Sequence, residues 1–127
     1  MTKAAALQAF FSGFNLPAYE ENSVYSLESP PELPYLTYEV RTDSFTDGAD
    51  TAITASLWYR TTSWTAVNEK AEEISAAIGR AGKILPVDFG YMLIRRLSPF
   101  AQSMADPADS MIKRKVLSIA VRYYTNN

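Results

Sequence analysis

The 127-residue sequence contains neither histidine nor cysteine. Without cysteine there is no disulfide framework, no zinc-finger site and no thiol nucleophile. Without histidine the commonest general base and metal ligand is missing. No apolar run has the length needed to span a bilayer, so no membrane partner is expected. The first residues, Met1-Thr2-Lys3-Ala4-Ala5-Ala6-Leu7, lack a sustained apolar signal core. Export is therefore not expected, and synthesis in a cytoplasm is. Positive charge is not in excess: the formal net charge is −2, which argues against nonspecific nucleic-acid binding as the main task. Gly79, Gly82 and Gly90 form no phosphate-binding motif, and no GxxxxGK[ST] loop exists. Charged residues make up 20%, slightly low for a soluble domain, which hints at a covered subunit surface.

What the chain does contain is apolar and aromatic material: 47% hydrophobic and 13% aromatic residues, enough for one core. Residues 1–127 are expected to form a single domain. The most informative segment is Leu33-Pro34-Tyr35-Leu36-Thr37-Tyr38-Glu39-Val40. Proline fixes its own φ and pushes the preceding residue toward extended geometry. Tyr, Leu, Thr and Val then suit a pleated, half-buried surface. A first strand is placed at Tyr35–Thr42 and a second at Thr51–Thr61, with Asp47-Gly48 as the turn signal between them. In the second, Ile53, Ala55, Leu57 and Tyr59 point one way and Thr54, Ser56, Trp58 and Arg60 the other. That alternation predicts an antiparallel sheet with one face covered.

Thr2–Gly13 reads as a first helix, with Leu7, Phe10, Phe11 and Phe14 at helical spacing. Trp64–Ile78 reads as a second, with Ser63 or Thr62 as N-cap and a stripe of Trp64, Val67, Ala71, Ile74 and Ile78. Gly79 and Gly82 end it. Strands are further placed near Lys83–Pro86, Phe89–Leu97 and Met111–Tyr124. Asn15–Pro34 and Ser98–Ser110, both carrying prolines, read as long irregular loops. The expected fold class is α+β: an antiparallel sheet of four or five strands, the main helix packed on one face, and an N-terminal helix.

Few groupings suggest chemistry. Asp43, Asp47 and Asp50 cluster around the first turn. Carboxylates suit hard cations, but Asp is also favoured in turns for its own backbone hydrogen bonds, and the spacing is not that of an EF-hand. Asp106 and Asp109 could do acid–base work, yet no nucleophile or shaped pocket is visible beside them. Neither a metal nor a catalytic site is assigned, no cofactor is expected, and the protein is not read as an enzyme. Arg95, Arg96, Lys113, Arg114 and Lys115, with Arg122, form the main basic group. They could contact phosphates, or serve as solvated, edge-protecting strand ends. Tyr35, Tyr38 and Trp58 belong to a large set of amphipathic aromatics of the kind enriched at interfaces. Trp58, on the polar face of its strand, is the foremost interface candidate.

The order of short motifs resembles a known family. Phe14-Asn15-Leu16-Pro17-Ala18-Tyr19-Glu20-Glu21-Asn22 precedes Leu33-Pro34-Tyr35-Leu36-Thr37-Tyr38. Then come Leu57-Trp58-Tyr59-Arg60, Ser63-Trp64, Ile94-Arg95-Arg96 and Pro99-Phe100-Ala101-Gln102, followed by Asp106-Pro107 and Lys113-Arg114-Lys115-Val116. This series is similar to the tail terminators, or tail completion proteins, of long-tailed bacteriophages and prophages.

The resemblance implies a structural virion subunit that closes into a homo-oligomeric ring, commonly a hexamer, assembled in the host bacterial cytoplasm. The ring caps the head-proximal end of the tail tube, stops its polymerisation and joins it to the head connector. The expected partners are the major tail tube protein and the connector, with DNA passing through the lumen without sequence-specific binding. The interface candidates are Tyr35, Tyr38 and Trp58 on the strands, Asp43, Asp47 and Asp50 at the turn, and Phe100, Asp106 and Asp109 in the second loop. Arg95, Arg96, Lys113, Arg114 and Lys115 are the candidates for a basic lumen patch. Two alternatives stand beside this: another neck, head-closure or minor tail component, and a small ligand-binding or enzymatic domain using the loop carboxylates.

Overall fold

The structure, a computed structural model, describes residues 1–25, 27–43 and 49–127. Its elements are α1 (Lys3–Phe11), β1 (Ala18–Glu20), α2 (Glu21–Tyr25), β2 (Tyr35–Tyr38), β3 (Thr51–Arg60), α3 (Thr65–Ile78), β4 (Lys83–Val87), β5 (Gly90–Ala105) and β6 (Ile112–Thr125). The strands form one six-stranded sheet in the order β1-β2-β3-β6-β5-β4. β1 and β2 run parallel, and every other neighbouring pair is antiparallel.

This corrects the expected fold class. The sheet is mixed, six-stranded and curled, not antiparallel with four or five strands, and no single main helix dominates. Two expected loops account for the difference. Asn15–Pro34 contains β1 and α2, whose few residues are too short to show any periodicity. Most of Ser98–Ser110 belongs to β5, whose pairing with β6 continues to Ala105. The register shifts between Arg96 and Ala101, so the extra residues around Pro99 leave the ladder as a bulge. Bulges and unpaired strand edges are where a sheet tolerates proline. Asp47-Gly48, the expected turn, lies outside the described residues.

Local chemistry explains the longer helices. Thr2 caps α1, its hydroxyl accepting from the Ala5 N–H at 3.1 Å. The helix tightens into a 3-10 turn at Ser12–Phe14 and stops at Asn15, whose φ of 59° is a left-handed conformation that Asn tolerates. The N-cap position of α3 is Trp64, with no side-chain cap of its own. The neighbouring Ser63 hydroxyl accepts from the Thr65 N–H at 3.1 Å instead. Val67, Ala71, Ile74 and Ile78, all buried, form the stripe that α3 lays on the sheet.

The core lies between α1 and α3 on one side and a single face of the sheet on the other. Leu36, Ile53, Leu57, Met92, Ile94, Leu117, Ile119 and Val121 point into it from β2, β3, β5 and β6. Phe11 and Tyr38 stack within it with ring centroids 4.9 Å apart. Each such side chain, fully buried, contributes roughly 1.5–3 kcal/mol.

Candidate interaction surface

The opposite face of the sheet is left without α1 or α3, and registry places a continuous row of large side chains across it. Tyr35 stands opposite Trp58, Trp58 opposite Arg114, and Arg114 opposite Met104. The side chains lie down along the row. Tyr19 meets Tyr35 edge-on at 6.0 Å, and Tyr35 stacks on Trp58 at 6.2 Å. The Arg114 guanidinium sits 4.6 Å from the centroid of the Trp58 ring, a cation–π arrangement. The next row holds the arrangement from beneath. Trp58 Nε1 donates to Thr37 Oγ1 at 2.9 Å, and Arg114 Nε donates to Ser56 Oγ at 3.2 Å. Thr37 and Ser56 are themselves buried, so these bonds satisfy polar groups that would otherwise be costly. Among the described residues Arg114 has no carboxylate partner. Beside it opens a hollow of about 190 Å³ lined by Trp58, Met104, Pro107, Ile112 and Asp106.

Farther along the same face, Asp50 bridges two arginines. It accepts from Arg122 Nε at 3.0 Å and also from the Arg95 guanidinium. Burial alone raises its carboxyl, but the hydrogen bonds from Arg122 and Arg95 outweigh burial and hold it below the usual range. A depressed folded value means that the bridge stabilises above the ordinary carboxylate range and is lost as pH falls through the lower folded value. Asp50→Asn is therefore expected to be less stable than the parent at pH 7. The gap should narrow in acid, as pH falls below the ordinary carboxylate range toward the lowered folded value of Asp50. Urea midpoints at pH 7 and pH 3 check this; a gap of equal size at both values removes the bridge from the account.

The other interface candidates separate. Tyr38 lies in the core, 3% exposed, and donates its hydroxyl proton to Gln8. Phe100 is on the helix side, lining a groove of about 270 Å³ with Asn68, Glu72, Ser75 and Lys115. Asp43 is exposed at the end of the described part of its turn, and Asp47 lies outside the described residues. Asp106 Oδ1 accepts from the Ala108 and Asp109 N–H groups at 2.8 and 3.1 Å. Asp109 accepts from the Met111 N–H at 2.9 Å and from Arg60 at 2.5 Å. The Met111 N–H, then the Arg60 guanidinium, hold its carboxyl low, a poor state for a general acid at neutral pH. Both carboxylates shape the β5–β6 turn. Among the described residues no group of three or more acidic side chains could hold a metal ion, and no helix is long and apolar enough to cross a membrane.

The basic group divides between the faces. Arg95 and Arg114 are on the open face. Arg96 turns to the helix side, where its guanidinium donates to Ser75 Oγ at 2.7 Å. Lys113 and Lys115 lie there too, 5.8 and 5.9 Å from the Trp64 ring centroid. Lys115 Nζ also donates to Asn68 and Ser103, at 2.8 and 2.9 Å. Sequence reasoning missed Tyr19 and Met104 as members of the open-face row because both fall in stretches read as loops. Alternation in β3 did place Trp58 on this face.

No family model matches the sequence, and no curated protein matches it. Among solved structures, the fold is similar to a chain in the virion of a native gene transfer agent particle, with a TM-score of 0.58 and 17% identity. The likeness covers 93% of this chain and 84% of that one, and at this identity it shows a shared fold.

Proposed function

We propose that the protein is a structural subunit of a phage-like particle, and specifically a tail terminator. In this role copies close into a ring, most simply a hexamer, which caps the head-proximal end of the tail tube and joins it to the head connector. The observation that carries the reading is the fold shared along 93% of the chain with a chain of a gene transfer agent virion. The resemblance of the motif series to tail terminators supports the finer assignment. The open sheet face supplies what a head-to-tail contact needs, an apolar and aromatic surface with a cation on it. The division of the basic residues adds a constraint: a DNA-filled lumen is lined by Arg95 and Arg114 or by Arg96, Lys113 and Lys115, not by both sets.

Light scattering followed by electron microscopy tests the ring, and tube-capping tests the role. Labelled protein added to polymerising tail tube protein should shorten the tubes and mark one end of each. Binding to the connector with no effect on tubes would move the protein to the neck. Trp58→Ala is expected to weaken assembly while leaving the subunit folded, at the loss of the Thr37 hydrogen bond and the Arg114 contact, about 1–2 kcal/mol of stability. Gel filtration and a thermal melt, run side by side, check this; unchanged assembly takes Trp58 out of the interface.

A further inference from the structure

One cross-strand row connects two surfaces that complement each other. At its β5 end, Met104 closes the row and the hollow beside Trp58 and Arg114 opens. At its β2 end, Tyr35 follows directly on Leu33-Pro34, so the stretch Leu27–Leu33 leaves the sheet at the level of the same row. That stretch reads Leu-Glu-Ser-Pro-Pro-Glu-Leu and lies outside every helix and strand. Leu27 is 45% exposed, and Glu28, Ser29, Pro30 and Glu32 are exposed with it. Glu28 and Glu32 have no basic partner among the described residues. Consecutive prolines favour polyproline II, which loses little freedom on docking, and aromatic-lined grooves are the surfaces that take it.

We propose that the hollow receives Leu27–Leu33 of a second copy of this chain. Pro30 and Pro31 pack against Trp58 and Met104, and a carboxylate of the stretch pairs with Arg114. Charge complementarity selects this occupant: the stretch carries two carboxylates and no base, and Arg114 is a cation on an aromatic ring without a carboxylate of its own. Asp106 also lines the hollow, but its Oδ1 is tied to the Ala108 and Asp109 amides. The stretch adjoins the β2 end of the row and the hollow lies toward its β5 end, so one copy presents two different patches. A head-to-tail contact between two such different patches closes into a ring when its rotation closes. The inference rests on the ring reading and names its contact.

Sedimentation velocity of three proteins tests it: the parent, Arg114→Glu, and the double variant Glu28→Arg/Glu32→Arg. Each variant should self-associate at least about tenfold more weakly than the parent, as for loss of an interfacial charge pair. Their equimolar mixture should recover the parent assembly, because every junction in an alternating ring again joins opposite charges. The double variant alters only exposed residues outside the core, so its behaviour is not a matter of folding. Parent-like assembly by the double variant, a mixture that stays dissociated, or a parent that remains monomeric up to about 1 mM would each overturn the contact. Tube capping by the double variant would remove the contact and leave the terminator role standing; failure of the parent to cap tubes removes the role.

Discussion

Phe11→Ala is expected to lower the free energy of unfolding by about 3–5 kcal/mol, near the top of the range for a single core truncation. Phe11 is 0% exposed at the end of α1. Its ring stacks on Tyr38 of β2 at 4.9 Å and meets Phe10 edge-on at 5.1 Å. Truncation removes both aromatic contacts as well as the buried area. It also leaves a void between a helix and a strand that are each fixed by other contacts and cannot close upon it. β2 has only four residues, and its position sets where Tyr35 meets Trp58. Loss of Phe11 is therefore expected to loosen the open-face row from behind. Equilibrium urea unfolding followed by circular dichroism gives the number; a loss below about 1 kcal/mol would mean that α1 is not part of the cooperative core.

Gly90→Ala is expected to cost a comparable amount, about 3–5 kcal/mol, by adding one carbon. Gly90 opens β5 opposite Thr125 of β6, with a φ of +150°. A Cβ there would lie 1.9 Å from the Tyr124 carbonyl oxygen and 2.9 Å from its carbonyl carbon. Both are backbone atoms in a paired strand, so no rotamer change relieves the clash. Gly13→Ala is the control: nothing lies within 4 Å of its Cβ, and it should be neutral or stabilising by a few tenths of a kcal/mol. Thermal melts of the two variants side by side decide the matter. Equal melting temperatures would show that the β4–β5 turn can rebuild itself around a side chain.

The parts of the fold that could be read from the sequence are those with enough residues to show a period. β3 alternates along Thr51–Arg60, so Ile53, Ala55 and Leu57 are buried and Trp58 falls on the open side. α3 carries its buried stripe at helical spacing. β1 could not be read, because Ala18-Tyr19-Glu20 is too short for a pattern, and its parallel pairing with β2 is a register that no local period encodes. β5 was cut short by a local rule: Pro99 and Asp106-Pro107 mark breaks, but the first falls in a bulge and the second just beyond the strand. The candidate surface shows the same limit. Trp58 and Arg114 each suggest a partner surface, yet nothing in the chain order says that they touch. That depends on the β3–β6 register, a contact between distant segments that no local period encodes.

β6 pairs with β3 from Arg60↔Ile112 to Thr51↔Val121 and with β5 from Ala105↔Lys113 to Gly90↔Thr125. It follows every other strand in the chain, and β3 is separated from it by α3, β4 and β5. Until β6 is in place, β3 and β5 are not joined, and each presents an open row of backbone donors and acceptors. The halves of the sheet therefore become one cooperative unit late, by a long-range closure of the kind that makes folding slow. The greatest risk of misassociation falls in that interval, before the strand that unites the sheet has docked.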